Sequence, residues 1–497
     1  NELQVEVRAG GGVGVNDVAC IEGTVGGNVT WKHLAATSML NMDAPRNTVT
    51  AQADAKVKVK LLFLEWSDTW PSKEVQLYPW NPGRSRSAGM FYAGMPDASE
   101  FSPAGRDYVL DNGMQRRNML RSSRTGDEAK VLINGVYPDA KPVLVNWKGS
   151  TYLFTLEDIQ TRGNEDRTAL VYRKETAGVF GEPIIVEDDG TGDFAYDVLA
   201  TEDGIHVLWQ DAKESMAGIT TLEEAAGKLG LSYAKVTESG ITLLESPEVT
   251  EGLAPISPVL VQNGSKVMNC WYENTQNDLI QSGNGTNVFY AWEAGSSAAV
   301  QKLGETTKMI TTTDFGMYEG ALSAAVTVDE DNDQSTLTDR EIYIINGGVS
   351  SCLTDNEVLD SNAQFGKLGG KQVIVYYSGG NLVVTDGERT QTVLDAETEI
   401  VKGGFVSDDF LFAEETLLWK DSYSLGAEAS QGMSMVRYAN GKWSSPVNVV
   451  RSSDALVSYS LLQKNGEVLS IQHRESKKEN PSQDCMRLLE KIVQRQS

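Results

Sequence analysis

The chain has 497 residues, with 43 Lys+Arg against 69 Asp+Glu for a net charge of −26, and it is 40% hydrophobic and 8% aromatic. That composition is too apolar for a disordered chain and long enough for more than one core. The acidic balance argues against nucleic acid and anionic membrane surfaces, which bind through Lys and Arg, and apolar runs such as 61–64 fall far short of the roughly 20 residues that span a bilayer.

The chain opens on Asn1 without a charged-then-apolar leader pattern, and it reads as a mature or trimmed segment of something longer. The glycine-rich stretch 9–14 has a Gly-x-Gly spacing but no helical pattern after it, so a loop or bulge is expected rather than a dinucleotide fingerprint. Residues 54–66 begin as strict alternation, with Lys56, Lys58 and Lys60 against Val57, Val59 and Leu61, which predicts a strand with one wet face. Trp66, Trp70, Tyr78 and Trp80 follow as a cluster suited to core packing or to stacking on sugar rings. Between 84 and 124 lie seven arginines, Arg84, Arg86, Arg106, Arg116, Arg117, Arg121 and Arg124, against four acids. Arginine grips carboxylates in a bidentate fork, so Arg84, Arg86, Arg116 and Arg117 are candidates for an acidic ligand or for docking onto an acidic surface of the same protein.

From about residue 137 a unit recurs: an apolar strand, a tight turn often carrying Gly, and a second apolar strand. The second strands begin at Gly149, Gly204, Gly264, Gly370 and Gly466, at intervals of 55, 60, 106 and 96 residues. The two long intervals are each near twice 50 and predict further members near 317 and 418. Third strands keep the same beat at 168–172, 231–236, 287–292, 341–345, 381–384, 434–438 and 485–489, and fourth strands are expected at 183–186, 247–249 and 446–450. A helix is expected as an insertion over 221–229. Four short strands about every 50 residues, repeated around seven times, are the mark of a β-propeller. The fold class is therefore all-β, with an N-terminal β-rich segment over 1–125 and a propeller of about seven four-stranded blades over 126–497. Residues 130–134 are expected to pair with the C-terminal strands and tie the ring shut; the competing expectation is a short terminal helix over 482–496.

Residues 167–211 include Phe180-Gly-Glu-Pro183, Gly192-Asp-Phe-Ala-Tyr196 and Gly204-Ile-His-Val-Leu-Trp209, and Met435-Val-Arg-Tyr-Ala-Asn-Gly-Lys-Trp-Ser-Ser-Pro446 repeats the outer part. This pattern resembles the blades of propellers found in large secreted or surface-anchored proteins of Gram-positive bacteria. The resemblance implies a bacterial protein that is secreted or at the cell surface. Asn440-Gly-Lys-Trp443 lacks the Ser-x-Asp-x-Gly-x-Thr-Trp turn of sialidases, so their mechanism is not inherited.

Propellers bind ligands where loops converge on the axis. The residues leading into inner strands there are Asp139, Asp193, Asp314, Asp408 and Asp409, with Tyr196 nearby. Such acids cap turns, hold Ca²⁺ or a sugar, or serve as an acid–base pair. Residues 329–334 open like a calcium loop, but Gln334 stands where a Gly is needed and Arg340 where a bidentate Glu is needed, which predicts a solvated blade loop. The four cysteines, Cys20, Cys270, Cys352 and Cys485, contain no C-x-x-C pair, and the three histidines, His33, His206 and His473, are scattered. No metal or cofactor is therefore expected, Ca²⁺ being the one cation these acids would suit. The reading is a non-catalytic extracellular binding or scaffold domain that presents loops to a glycan or protein, monomeric or part of a longer chain. The alternatives are a propeller-fold glycoside hydrolase or lyase with convergent carboxylates, and a structural spacer in a multidomain surface protein.

Overall fold

The computed structural model describes residues 2–15, 19–33, 47–61, 64–78, 130–134, 141–159, 161–219, 222–279, 281, 283–332, 336–395, 408–425, 428–449, 455–464, 467–475 and 486–493. The chain divides into two compact units, one of residues 1–14 and 19–110, the other of residues 15–18 and 111–497. The first holds one antiparallel sheet of Glu2–Val15, Ala19–His33, Asn47–Leu61 and Leu64–Tyr78 in sequence order. The glycine-rich stretch 9–14, expected as a loop or bulge, runs inside the first of these strands. Glycine lowers strand propensity without forbidding the extended backbone, and pairing along a long neighbour overrides it. The alternating segment lies in the third strand, which turns back after Leu61 into the fourth, Leu61 pairing with Leu64.

The second unit is a β-propeller. Six blades are each built from one continuous run of chain, and in place of the expected seventh a composite four-stranded sheet closes the ring. Their inner strands are Val143–Trp147, Asp193–Ala200, Pro255–Asn263, Met309–Tyr318, Asp360–Leu368 and Phe410–Ala413 for blades 1 to 6. The closing sheet orders Ala455–Lys464, Glu467–Glu475, Met486–Val493 and Lys130–Asn134, with Arg487 opposite Asn134 and Glu490 opposite Lys130. The expected pairing of 130–134 with the chain's end is thus present, and Met486–Val493 is a strand rather than a helix. Consecutive inner strands touch in order, and the seventh, Ala455–Lys464, returns to the first.

Second strands such as Ile205–Ala212 are buried along their whole length, because each lies between two sheets as well as between two strands. Trp209, Trp271 and Trp419 are fully buried, packing among aliphatic residues where neighbouring blades meet. The expected helix is short, Leu222–Ala226, and lies between the second and third strands of blade 2. The fourth strand of that blade is Gly240–Leu243 rather than 247–249. A tight turn after Thr237 lets the chain pair at once, with Thr237 opposite Gly240, and Pro247 could not have donated to the ladder. The fourth strands at Ile184–Ile185 and Val447–Asn448 fall inside the expected segments.

Candidate functional site at the propeller axis

The acids singled out in the sequence are used mainly to bind blade to blade. Asp193 opens the inner strand of blade 2 and is buried, and its Oδ2 accepts the Leu170 N–H of blade 1 at 2.7 Å. Burial holds its pKa well above the usual carboxylate range, against the Leu170 hydrogen bond. Tyr196, three residues on, donates its hydroxyl toward the carbonyls of Phe154, at 3.0 Å, and Lys141. Asp314 does not lead into its strand as expected but sits within it, because Met309–Tyr318 begins five residues earlier. Its Oδ2 accepts the Phe365 N–H of blade 5 at 2.8 Å. Asp409 lies at the seam between blade 6 and the closing sheet, where the Tyr459 hydroxyl is 2.9 Å from both its carbonyl and its Oδ1. Lys420 lies 3.6 Å from the Asp409 carboxylate. Asp408 is exposed, and its pKa is raised by surrounding protein and by the neighbouring Asp409 charge. Asp139, Arg84, Arg86, Arg116 and Arg117 lie outside the described residues.

Asp197, not singled out in the sequence, accepts the Leu260 N–H of blade 3 through Oδ2 at 2.8 Å. Gln364 Oε1 accepts the Phe412 N–H of blade 6 at 2.7 Å, and Gln281 Oε1 accepts the Ile310 N–H of blade 4 at 3.0 Å. The signal for two of these was present: Asp314-Phe315-Gly316 and Gln364-Phe365-Gly366 stand 364 − 314 = 50 residues apart. In each the first residue accepts the N–H of a phenylalanine on the next blade, and the glycine two residues on makes room for that ring.

Asp197 and Asp314 form the chemically distinctive part of the axis. Both carboxyls are raised, chiefly by burial. Asp314 reaches about 6, with the Asp197 charge adding to the rise and the Phe365 and Phe315 N–H groups and Lys141 opposing it. Cys270, buried on the second strand of blade 3, has its thiol pushed up by burial and then by the Asp314 and Asp197 charges. These two half-buried carboxyls, with Lys141 acting on both, leave oxygens able to accept hydrogen bonds from hydroxyls.

Two carboxylate triads among the described residues bring oxygens within 4.8 Å of one another: Glu187, Asp189 and Asp211, and Asp329, Asp331 and Asp339. Such hard oxygen donors suit Ca²⁺, but each triad already contains a protein cation. Lys213 Nζ lies 2.8 Å from Asp211, and Arg340 Nε lies 3.6 Å from Asp329. The linear calcium-loop comparison missed the second triad because Asp339 comes from the far side of the loop.

No family model matches the chain, and no curated protein matches it. Solved structures do. A mutant of Trypanosoma rangeli sialidase displaying trans-sialidase activity is 12% identical with a TM-score of 0.39, over 71% of this chain and 54% of that one. A Mycobacterium tuberculosis puromycin-hydrolyzing peptidase is 10% identical with a TM-score of 0.40, over 90% of this chain and 59% of that one. The polysaccharide lyase Uly1 is 8% identical with a TM-score of 0.43, over 71% of this chain and 89% of that one. The chain spans about half the length of the sialidases it matches. The activities in those descriptions belong to those proteins, and the chemistry of this chain is argued from its own residues.

Proposed function

We propose that this chain is a non-catalytic binding or scaffold propeller, secreted or held at a bacterial cell surface, that presents its axial loops to a glycan or a protein. The observation that carries the reading is the use made of the axial acids. Asp193, Asp197 and Asp314 each accept a backbone N–H from a neighbouring blade, so these side chains hold the ring together. A rigid ring with many loops at one end is suited to recognition, since little ordering entropy is lost on binding. A glycan array and a pull-down from bacterial envelope extract test this; capture of nothing by the intact chain, together with turnover of a polysaccharide, refutes it.

A second reading, a glycoside hydrolase or lyase, is favoured by the Asp197–Asp314 pair. A carboxyl raised to about 6 has the proton affinity of a general acid near neutral pH, and Asp197, whose charge acts on it, is the second carboxyl such chemistry needs. The test is reducing-end or unsaturated-product release from a polysaccharide panel by the wild type, Asp314→Asn and Asp197→Asn. Activity that falls 100-fold or more in either variant, about the share general acid–base catalysis supplies, with the fold retained, establishes this reading; no turnover by the wild type removes it.

A further inference from the structure

Where the chain passes from the outer strand of blade 4, Val349–Cys352, to the inner strand of blade 5, two acids meet that the axial site does not use. Glu341 lies on the third strand of blade 4 and is 4% exposed, and Asp360 is the first residue of the blade 5 inner strand and is fully buried. Asn356, in the crossover 353–359, holds both of them. Its backbone N–H donates to Glu341 Oε1 at 2.8 Å, and its side-chain Nδ2 donates to Asp360 Oδ2 at 2.6 Å. Asn356 thus brings the two carboxyl groups together at the crossover, and the Asp360 charge acts on Glu341. The oxygens left over, Glu341 Oε2 and Asp360 Oδ1, are buried with no hydrogen-bond partner among the described residues.

Two ionised carboxylates cannot share a dry contact of this kind: each would be a desolvated charge repelled by the other. One proton resolves it. We propose that Glu341, held beside Asp360 by Asn356, takes up a proton and makes this junction an acid-tightened latch on the crossover between blades 4 and 5. Among the described residues no cation is paired with either acid. Arg340, next on the strand, is directed at Asp329. The ionisable groups that sense the pair are Cys352 on the outer strand of blade 4 and Tyr376 on the second strand of blade 5, both neutral at ordinary pH, while Asp355 in the crossover adds negative charge near Cys352. The Thr354 hydroxyl accepts the Ile342 N–H at 2.9 Å and, after the Asn356 N–H, opposes the rise at Glu341.

The direction follows from linkage. Burial and the Asp360 charge raise Glu341 above its ordinary 4.5, so the closed latch binds a proton that the open one releases. The latch is tight at acid pH and loosens as pH rises through the raised value. Asp360 stands two residues before Asn362, whose Nδ2 donates to the Asp408 carbonyl at 2.8 Å. Loosening the latch therefore reaches the axial rim between blades 5 and 6.

Hydrogen–deuterium exchange on the full chain, corrected for intrinsic rates, tests the proposal between pH 4 and 8. Protection across 353–360 should fall by up to about tenfold per pH unit in the titration window, the limit for one linked proton, while 143–147 in blade 1, a strand without an ionisable side chain, shows no such slope. Glu341→Gln and Asp360→Asn each supply a permanent donor and should flatten the slope, keeping protection at neutral pH. A flat wild-type profile, or an unchanged slope in both variants, overturns the proposal. So does a wild-type slope that millimolar Ca²⁺ abolishes, which would make the pair a cation site. Should either variant fail to fold, the wild-type slope and its response to Ca²⁺ decide the matter.

Discussion

Gly316→Ala is a severe test of how the blades are seated. A Cβ at this position would lie 2.3 Å from Phe365 Cβ and 2.5 Å from its Cγ. The Phe365 Cβ is fixed by its backbone, so no rotamer change relieves the contact and the inner strands of blades 4 and 5 must separate by ~1 Å to restore ordinary packing. That movement stretches the 2.8 Å bond from the Phe365 N–H to Asp314 beyond hydrogen-bonding range. Overpacking of this kind costs ~1–3 kcal/mol and a buried polar group left unmade ~1–3 kcal/mol more, less under 1 kcal/mol returned by the stiffer unfolded chain, for a net loss of about 1–5 kcal/mol. Gly366→Ala supplies the contrast. Its Cβ would meet the outer ring atoms of Phe412, Cε1 at 2.3 Å, and that ring can swing aside, so a loss of about 1–2 kcal/mol is expected. Urea denaturation followed by the fluorescence of the buried Trp209, Trp271 and Trp419 reads the difference. In double-mutant cycles Phe365→Gly should relieve Gly316→Ala while Phe365→Ala, which keeps the Cβ, should not. A Gly316→Ala protein within ~0.5 kcal/mol of wild type, the ordinary range for a surface change, or equal relief by both Phe365 variants, would refute the close approach.

Asp314→Asn should flatten the pH dependence of stability. The folded-state carboxyl is raised from 3.8 to about 6, so folding takes up a proton, and stability is greatest below 3.8 and drains as pH rises to about 6. The loss at neutral pH is at most about 3 kcal/mol, which the variant should recover in denaturation at pH 7 and not at pH 3. Asp193→Ala should cost ~1–3 kcal/mol by stranding the buried Leu170 N–H, whereas Asp193→Asn retains an acceptor and should cost less in the same urea series. Peptide-resolved alkylation of the native protein should modify the exposed Cys352 in preference to the buried Cys270, whose thiolate is disfavoured by burial and two nearby acids; equal labelling would contradict the placement of Cys270.

The blade architecture was legible because its signal is periodic and redundant. Turns such as Gly369-Gly370, with both glycines at positive φ, recur between the first and second strands, and the following second strands must be apolar on both faces. The pairing of Lys130–Asn134 with the chain's end was legible for a related reason, since an open ring would leave an edge that an apolar segment of the right length could cover. The axial site was only half legible. Asp193 and Asp409 precede or open strands and could be found by looking there. Asp197 lies within a strand, and its role depends on which backbone N–H of the next blade reaches it. Inner-strand bulges, as between Asp193 and Tyr196 and between Ile256 and Val259, shift that register by amounts no single strand encodes. The Glu341–Asp360 contact was hidden further still, joining a third strand to the next blade's first across a crossover whose Asn356 looks like an ordinary turn residue.

The composite sheet also fixes how the ring answers to mechanical load. Lys130 lies opposite Glu490 and Asn134 opposite Arg487, so the two strands run antiparallel and tension entering at 130 and leaving at 493 pulls on them from the same end. Such a load parts the ladder one pair at a time, like a zipper, instead of shearing all of its bonds together. The clasp would therefore yield at low force, while each of the six contiguous blades keeps its own sheet until the ring has already opened.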